Sequence, residues 1–429
     1  MKPLFRILFC AFVALGAGCA TKPTAPASTA VAGPVQVAKP TPLLLISIDA
    51  YRADYINRGV SPTLQALAAT GVHADSMQPS FPSLTFPNHY AIVTGMIPDH
   101  NGIVNNTMSD PSLGKFSLSD NKAASNGTWW EEATPIWETA DLHGLRTASM
   151  FWPGSGANIQ GKHPDYWKPY DGKVTADQRV DQVLAWLDLP ADQRPSFITL
   201  YFDDIDHAGH KYGPDSPEVN QALSVVDAAM ARLVDGLRQR GIFDKINIIV
   251  LADHGMASVP LENSILIDKL IPLKDVETVN LGELAGFNPI PKHDFNAIEA
   301  QLEKPQAHMQ CWDKTRIPER FHYGTNSRVP KLVCLANVGW RITTEDYLAK
   351  NQGKISIGEH GYDNTDPLMQ ALFVAHGPSF QKGIRFHSFP NVDVYPLMAQ
   401  LLGIPPEFND GNLSDVVDML TPVAQPEEQ

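Results

Sequence analysis

Cysteine is scarce in this chain of 429 residues: there are four, and Cys10 and Cys19 both sit near the amino terminus. Only Cys311 and Cys334 remain beyond them, and no C-x-x-C pair occurs. Neither a thiolate zinc site nor a thioredoxin-type redox motif is therefore supported. Basic residues are outnumbered, 33 Lys and Arg against 47 Asp and Glu, for a net charge of −14. A surface built to coat duplex nucleic acid would be basic, so that class of partner is set aside. Between Arg58 and Lys115 there is no Lys or Arg at all, and no internal repeat is evident. What the chain does have is apolar substance, 43% hydrophobic against 19% charged, enough for the large core of one elaborated α/β enzyme. A small anionic substrate stays compatible with the acidic balance, because bound metal ions reverse the local sign of the field.

Residues 1–20 read as an export signal. Lys2 and Arg6 form its charged start, and Ile7 to Leu15 is an apolar run too short to cross a bilayer as a mature helix. Gly16-Ala17-Gly18-Cys19-Ala20 follows. Cys19 then resembles the lipidation cysteine of a bacterial lipoprotein signal, with Leu15 one place further upstream than that pattern prefers. Ordinary cleavage near Ala20, with no lipid, is the other reading. Both place the mature protein outside the cytoplasm, either periplasmic or anchored to the outer membrane. Residues 21–42, rich in Ala, Pro, Thr and Val, read as a flexible linker. In an oxidising compartment Cys311 and Cys334 are expected to pair, the alternative being two buried thiols.

The folded body is expected over residues 43–420, with 421–429 a polar tail. Leu43 to Ile48 is a near-continuous apolar run, as for a strand buried on both faces of a parallel sheet. Ser61-Pro62 opens a helix that Gly71 closes, Thr134-Pro135 opens one that ends near Gly144, and Ser216-Pro217 opens a longer one that ends at Gly241. Strand-like runs lie at Ser196–Phe202, Ile246–Ala252 and Ala371–Ala375. The alternation predicts an α/β fold, a mainly parallel sheet sandwiched by helices. From about Ser258 to Ile355 the alternation breaks, and this stretch reads as a smaller inserted subdomain.

Four acidic and histidine clusters carry the chemistry. Asp49 ends the first strand, and Asp253-His254 end a later one, where ligands gather beyond the carboxyl ends of strands. Asp206 and His210 are spaced i, i+4, which on a helical turn aims both the same way. His360 lies between Gly358 and Gly361 in a loop setting. Three carboxylates and three imidazoles form a donor set for two zinc ions with positions left open for substrate. Thr85, just before Phe86-Pro87, stands where a helix can begin and offers a hydroxyl as nucleophile. His89, four residues on, suits a structural hydrogen-bonding role, because metal coordination already lowers the pKa of a bound hydroxyl. His207 is expected to be a surface residue.

Leu45-Ile46-Ser47-Ile48-Asp49, Pro82 to Tyr90, His100 to Asn106, Asp206-x-x-Gly-His210, Ala252 to Met256 and Gly358-x-His-Gly-Tyr-Asp363 occur in one order. Together they resemble the nucleotide pyrophosphatase/phosphodiesterase family of the alkaline phosphatase superfamily, over about residues 43–410. The resemblance implies an alkaline phosphatase-like core. It implies one zinc on Asp206, His210 and His360, and another on Asp49, Asp253, His254 and the Thr85 oxygen. It makes Asn106 a hydrogen-bond donor to phosphate, and Phe86, Tyr201 and Tyr170 holders of a nucleobase. Asp203-Asp204-Ile205 departs from the Glu-Glu-Pro common in relatives, which leaves the local loop shape open.

The activity so implied is zinc-dependent hydrolysis of phosphodiester or pyrophosphate bonds through a phospho-threonine, releasing nucleoside 5′-monophosphates. Cleavage of choline or other lipid phosphodiesters, a threonine-type phosphate monoesterase, and a nucleotide-binding lipoprotein without turnover are the alternatives. Three Asp and one alkoxide balance two dications, so a diester monoanion suits the site better than a monoester dianion. A sulfatase is disfavoured, since Thr85 cannot become formylglycine. Oligomeric state is not legible.

Overall fold

The strand Leu43–Ile48 is buried along its whole length, on both faces of the sheet, and is paired on both edges. In the computed structural model, which describes residues 40–422, it runs parallel to Phe197–Phe202 and to Asn247–Leu251. The expected export signal with Cys19, nearly all of the linker and most of the tail lie outside the described residues. The full sheet has eight strands in the order Ile384–Phe386, Val72–Ala74, Phe373–His376, Asn247–Leu251, Leu43–Ile48, Phe197–Phe202, Thr147–Met150 and Tyr166–Trp167. One of them, Phe373–His376, is antiparallel to both neighbours, so the sheet is mixed, not parallel throughout. Its direction follows from the route of the chain. The Ala252 N–H donates to Leu372 O, so this strand enters at the edge where Asn247–Leu251 leaves. Residues arriving from His360 thus enter the sheet without crossing it.

Helices cover the sheet where the capping signals placed them. Pro62–Thr70 follows Ser61, but its first amides are capped from elsewhere: Asp227 accepts from Thr63 N and Leu64 N at 3.0 Å. Pro217–Gln239 turns Val219, Leu223, Val226, Met230, Leu233 and Leu237 inward, all fully buried. Its start is a working N-cap, with Ser216 Oγ accepting from Val219 N at 3.2 Å. Ile136–Leu142 is shorter than the signals suggested by about one residue at each end.

Glu138 on that last helix is buried, and its Oε1 has no hydrogen-bond partner. Burial, with a smaller push from Asp141 and a counter-pull from Lys162, raises its carboxyl from the ordinary 4.5 to about 7. The neutral acid is therefore the form the fold favours. Its contribution is complete below pH 4.5 and disappears as pH rises through about 7. Glu138→Gln is expected to raise stability at pH 8 by about 2 kcal/mol and to do nothing at pH 4, read from urea unfolding at the two pH values.

Beyond Asp253-His254, the short strand Ala257–Ser258 pairs antiparallel with Gly358–Glu359. Between them a four-stranded antiparallel sheet runs in the order Val276–Asn280, Leu284–Pro289, Leu332–Ala336 and Met309–Asp313. It packs a separate apolar cluster that includes Phe287, Phe295, Leu302 and Leu332. Cys311 faces Cys334 in register, and the two are joined by a disulfide. Asp99, nearly buried in the main body, clasps this region: its carboxylate accepts from Gly324 N, Thr325 N, Asn326 N and Thr325 Oγ1.

Candidate functional site

Three of the site's acidic segments follow directly from strands of the main sheet. Asp49 follows Ile48, Asp203 follows Phe202, and Asp253 comes two residues after Leu251. A polar side chain is tolerable there because the sheet ends and a cavity begins. Asp206 and His210 lie on the helix Asp204–Tyr212, one turn apart as their spacing required, with His210 Nε2 3.4 Å from Asp206 Oδ1. His360 reaches the same place from the loop after Gly358–Glu359. A Cβ on Gly358 would lie 2.2 Å from Gly209 O, so that close approach requires glycine.

The three histidines share one arrangement. Nδ1 of His210, His254 and His360 donates to the carbonyls of Gly358, Gly255 and Ser83 at 2.8, 2.9 and 3.0 Å. A carbonyl only accepts, so each Nδ1 carries a proton and Nε2 is the atom each ring would turn to a metal. The Nε2 atoms turn toward carboxylates, His254 to Asp49 at 3.4 Å and His360 to Asp206 at 3.6 Å. A backbone-fixed tautomer of this kind is how proteins orient metal-binding imidazoles.

The carboxylates have the complementary defect. Asp49 Oδ1 and Asp206 Oδ1 are buried without a hydrogen-bond partner, and Asp253 Oδ2 has only the imidazoles of His254 at 3.0 Å and His89 at 3.2 Å beside it. Three buried carboxylates crowded together, two of them with unpartnered oxygens, would be costly unless cations sat among them. Burial, reinforced by the charges of Asp253 and Asp206, pushes the Asp49 carboxyl well above the usual range. Donor atoms of Asp49, Asp253 and His254 lie within 4.8 Å of one another, and so do those of Asp206, His254 and His360. The donor set fits divalent metal.

Thr85 begins the helix Thr85–Thr94, and its Oγ1 lies 3.2 Å from His254 Nε2. Asn106 turns its Oδ1 to Phe86 N at 2.9 Å, which leaves the amide NH2 to donate elsewhere. His89 is fully buried and bonds Thr85 O and Ser47 Oγ, not the Thr85 hydroxyl, in keeping with a structural role. Tyr201 faces the same side of the sheet as Ser47 and Asp49, since it is in register with Ser47. Its hydroxyl donates to Asp49 Oδ2 at 2.5 Å, so it holds a carboxylate as well as bordering the cavity.

That cavity measures about 550 Å3 and takes in Thr85, Phe86, Asn106, Tyr170 and Tyr201. Its far wall consists of residues that no spacing signal marked: Leu118, Phe151, Trp152 and Trp167. Phe151 and Trp152 follow the strand Thr147–Met150, so recognising that strand would have pointed to them. Asp203 is buried, pairs with Arg179 at 2.9 Å and receives the Tyr170 hydroxyl, which props the half-exposed Tyr170 ring at the rim. The loop left open by Asp203-Asp204-Ile205 is therefore the start of the ligand helix. His207 is largely exposed, as expected, yet it too borders the cavity.

Among known proteins, the family described as type I phosphodiesterase / nucleotide pyrophosphatase matches residues 43–363. An uncharacterized pyrophosphatase/phosphodiesterase of Schizosaccharomyces pombe is 37% identical over 379 residues, 86% of this chain and 78% of its own length. Human ectonucleotide pyrophosphatase/phosphodiesterase family member 1 is 37% identical over 399 residues, and there the match spans 90% of this chain but only 42% of the relative. The solved structure of murine ectonucleotide pyrophosphatase/phosphodiesterase 5, an inactive form in complex with AMP, superposes with a TM-score of 0.84 at 30% identity, covering 89% of this chain and all of that one. The chain belongs to the type I phosphodiesterase/nucleotide pyrophosphatase family, with that family's alkaline phosphatase-like fold, and is a phosphodiester-cleaving enzyme of that kind.

Proposed function

We propose that the enzyme hydrolyses nucleotide phosphodiester and pyrophosphate bonds, releasing nucleoside 5′-monophosphates through a phospho-threonine at Thr85. The observation that carries this reading is Thr85 Oγ1 at the mouth of the aromatic-walled cavity, 3.2 Å from His254 Nε2 and beside the orphaned carboxylates. The AMP bound by the murine relative supports a nucleotide in this position. Carboxylate and imidazole donors suit two zinc ions, one on Asp49, Asp253, His254 and Thr85, the other on Asp206, His210 and His360. When bound, such ions lower the hydroxyl pKa and neutralise charge on phosphate and leaving oxygen.

The chain's own residues do the rest. Phe86 and Tyr170 flank the base, and the free amide of Asn106 donates to a non-bridging phosphate oxygen. Thr85 Oγ1, having given its proton to solvent, forms a bond to phosphorus while the opposite P–O bond breaks, and the leaving group departs with that electron pair and takes up a proton from water. Water then attacks the phospho-threonine, restoring the Thr85 hydroxyl and releasing the monophosphate. Residues 43–420 make up this catalytic unit, with 258–355 as its insert. Export to the periplasm or outer membrane, by lipidation at Cys19 or by plain signal cleavage, agrees with the disulfide and with ectoenzyme relatives. Among the described residues no helix is long and apolar enough to cross a membrane.

Diesters are preferred over monoesters on this reading, because Lys168 is the single Lys or Arg bordering the large cavity. The test compares nitrophenyl thymidylate with nitrophenyl phosphate on zinc-loaded protein. A diester preference in kcat/KM of at least about 100-fold is expected from the loss of one cation–dianion interaction in a dry site. Equal rates would remove the charge argument, and a monoester preference would turn the assignment to a phosphatase.

A further inference from the structure

The loop Tyr323 to Arg328 of the inserted segment lines no part of the aromatic cavity, yet it grips the stretch of main body that carries Asn106. Asp99 accepts from three of its backbone amides, and the Tyr323 hydroxyl donates to Val104 O at 3.0 Å. Arg328 makes the most extensive hold. It is only 5% exposed, and its guanidinium reaches three separate stretches of chain. Nη1 donates to Gly102 O and to Trp129 O, each at 2.8 Å. Nε donates to Asp110 Oδ2 at 3.0 Å, and Nη2 lies 3.1 Å from Glu132 Oε1. The approach is close enough that a Cβ on Gly102, at φ 80°, would lie 2.7 Å from Nη1.

Asn106 stands between two of these anchors. Asp110 ends the strand Thr107–Asp110, which pairs antiparallel with Gly114–Ser117. The Asn106 carbonyl accepts from Leu118 N at 2.9 Å, so Asn106 and Leu118 close the open end of this hairpin, and both border the cavity. Bonds to Gly102 O and Val104 O fix the chain just before Asn106, and the bond to Asp110 fixes the hairpin beyond it. Among the described residues the Asn106 side chain has one partner, Phe86 N, on its Oδ1. One contact on the oxygen does not place the NH2 group on the other side of the amide. Its position depends on where the backbone of residue 106 is held.

We propose that Arg328 is a positioning residue for the reaction, holding the hairpin so that the Asn106 amide meets the non-bridging phosphate oxygen. The proposal rests on the reading of Asn106 as the phosphate donor. A planar guanidinium fork bonds several stretches of chain at once, whereas a lysine ammonium is a point charge and must give up some of them. Released at Asp110 or Gly102, the hairpin is free to shift, and a displacement of about 1 Å far from the chemistry is enough to cost a large factor in rate. The inserted segment thereby belongs to the phosphate-binding apparatus without touching substrate.

The experiment is a double-mutant cycle on the zinc-loaded full chain, with nitrophenyl thymidylate as substrate. Asn106→Ala alone is expected to lower kcat by about 100-fold, as when one donor to a developing oxyanion is removed. Arg328→Lys alone is expected to lower kcat about tenfold and to change KM by no more than about twofold. In the Asn106→Ala background the same substitution should cost no more than about twofold, because the donor it serves is gone. A merely structural loosening would cost the same factor in both backgrounds. Asp110→Asn keeps the Oδ1 acceptor for Ser112 N and Leu113 N and loses the Oδ2 acceptor for Arg328, so it should reproduce the pattern. It carries the test alone if Arg328→Lys does not fold. A full tenfold loss in both backgrounds overturns the inference, as does wild-type kcat in a folded Arg328→Lys enzyme, and either result leaves the donor reading standing. An Asn106→Ala enzyme with wild-type kcat sinks the donor reading and the inference together.

Discussion

Thr85→Ala is expected to lower kcat on nucleotide diesters by about 10⁶-fold, the scale seen when a covalent nucleophile is removed and the rest of the site is kept. The fold should not notice. The side-chain bond shown for Thr85 is to His254, and the helix it begins is fixed by buried Asn88, His89, Tyr90 and Ile92. Thermal unfolding of the metal-loaded variant should match wild type to within about 1 kcal/mol. Thr85→Ser keeps an attacking hydroxyl and should retain measurable turnover. Rapid acid quench with a phosphorus-labelled substrate should trap label on wild-type protein and none on Thr85→Ala. A Thr85→Ala enzyme that kept full diesterase rates would remove the phospho-threonine from the mechanism.

Stripping the metals is expected to have a comparable effect on rate and a larger one on stability. A chelator should abolish turnover, and zinc should restore it. Zinc present at a thousand times its dissociation constant would stabilise the folded state by about 4 kcal/mol for each site. Without cations, Asp49 and Asp206 keep buried oxygens with no hydrogen-bond partner, close to the charge of Asp253. The Asp49 carboxyl, held above its usual range by burial and by Asp253 and Asp206, is then most comfortable protonated. A raised folded-state pKa means that its contribution is complete below the ordinary carboxylate value and is lost as pH climbs through the raised one. Metal-free wild type should therefore lose stability relative to metal-free Asp49→Asn as pH rises above the ordinary carboxylate range. In the zinc-loaded pair the sign reverses, because the cation needs the carboxylate. Unfolding curves of four samples across pH check both halves. A metal-free difference that did not vary with pH would mean the carboxylates are not clustered as the structure has them.

The residues that convergent chemistry demands were legible because each interrupts a pattern. Asp49 ends a near-continuous apolar run, and Asp253-His254 end another, where only a cavity makes a buried charge tolerable. Asp206 and His210 were legible from a helical spacing that the helix Asp204–Tyr212 realises. The family resemblance added what spacing could not, namely Asn106 and the ring positions Phe86, Tyr170 and Tyr201. Of these, Tyr201 shows the limit of reading a residue by type. Strand register sets its hydroxyl on Asp49, and register is invisible until the partners of a strand are known. Strand direction is equally silent, which is why the reversed Phe373–His376 escaped the apolar pattern. The aromatic wall escaped for another reason. Phe151 adopts φ 69°, unusual for a bulky side chain, on a loop whose course depends on the strand before it.

The two-residue pairing of Ala257–Ser258 with Gly358–Glu359 has a consequence for how such an enzyme can change. The chain leaves the catalytic body and returns to it at touching points, with His254 just before the exit and His360 just after the return. Loops threaded between those points can be lengthened, shortened or exchanged while this pairing and the Asp99 clasp keep the stretch docked and both imidazoles in place. Because that same stretch supplies Glu283 and Asn280 to a smaller cavity bordering His210 and His360, the surroundings of the reaction centre can drift there while the bond-breaking apparatus stays still.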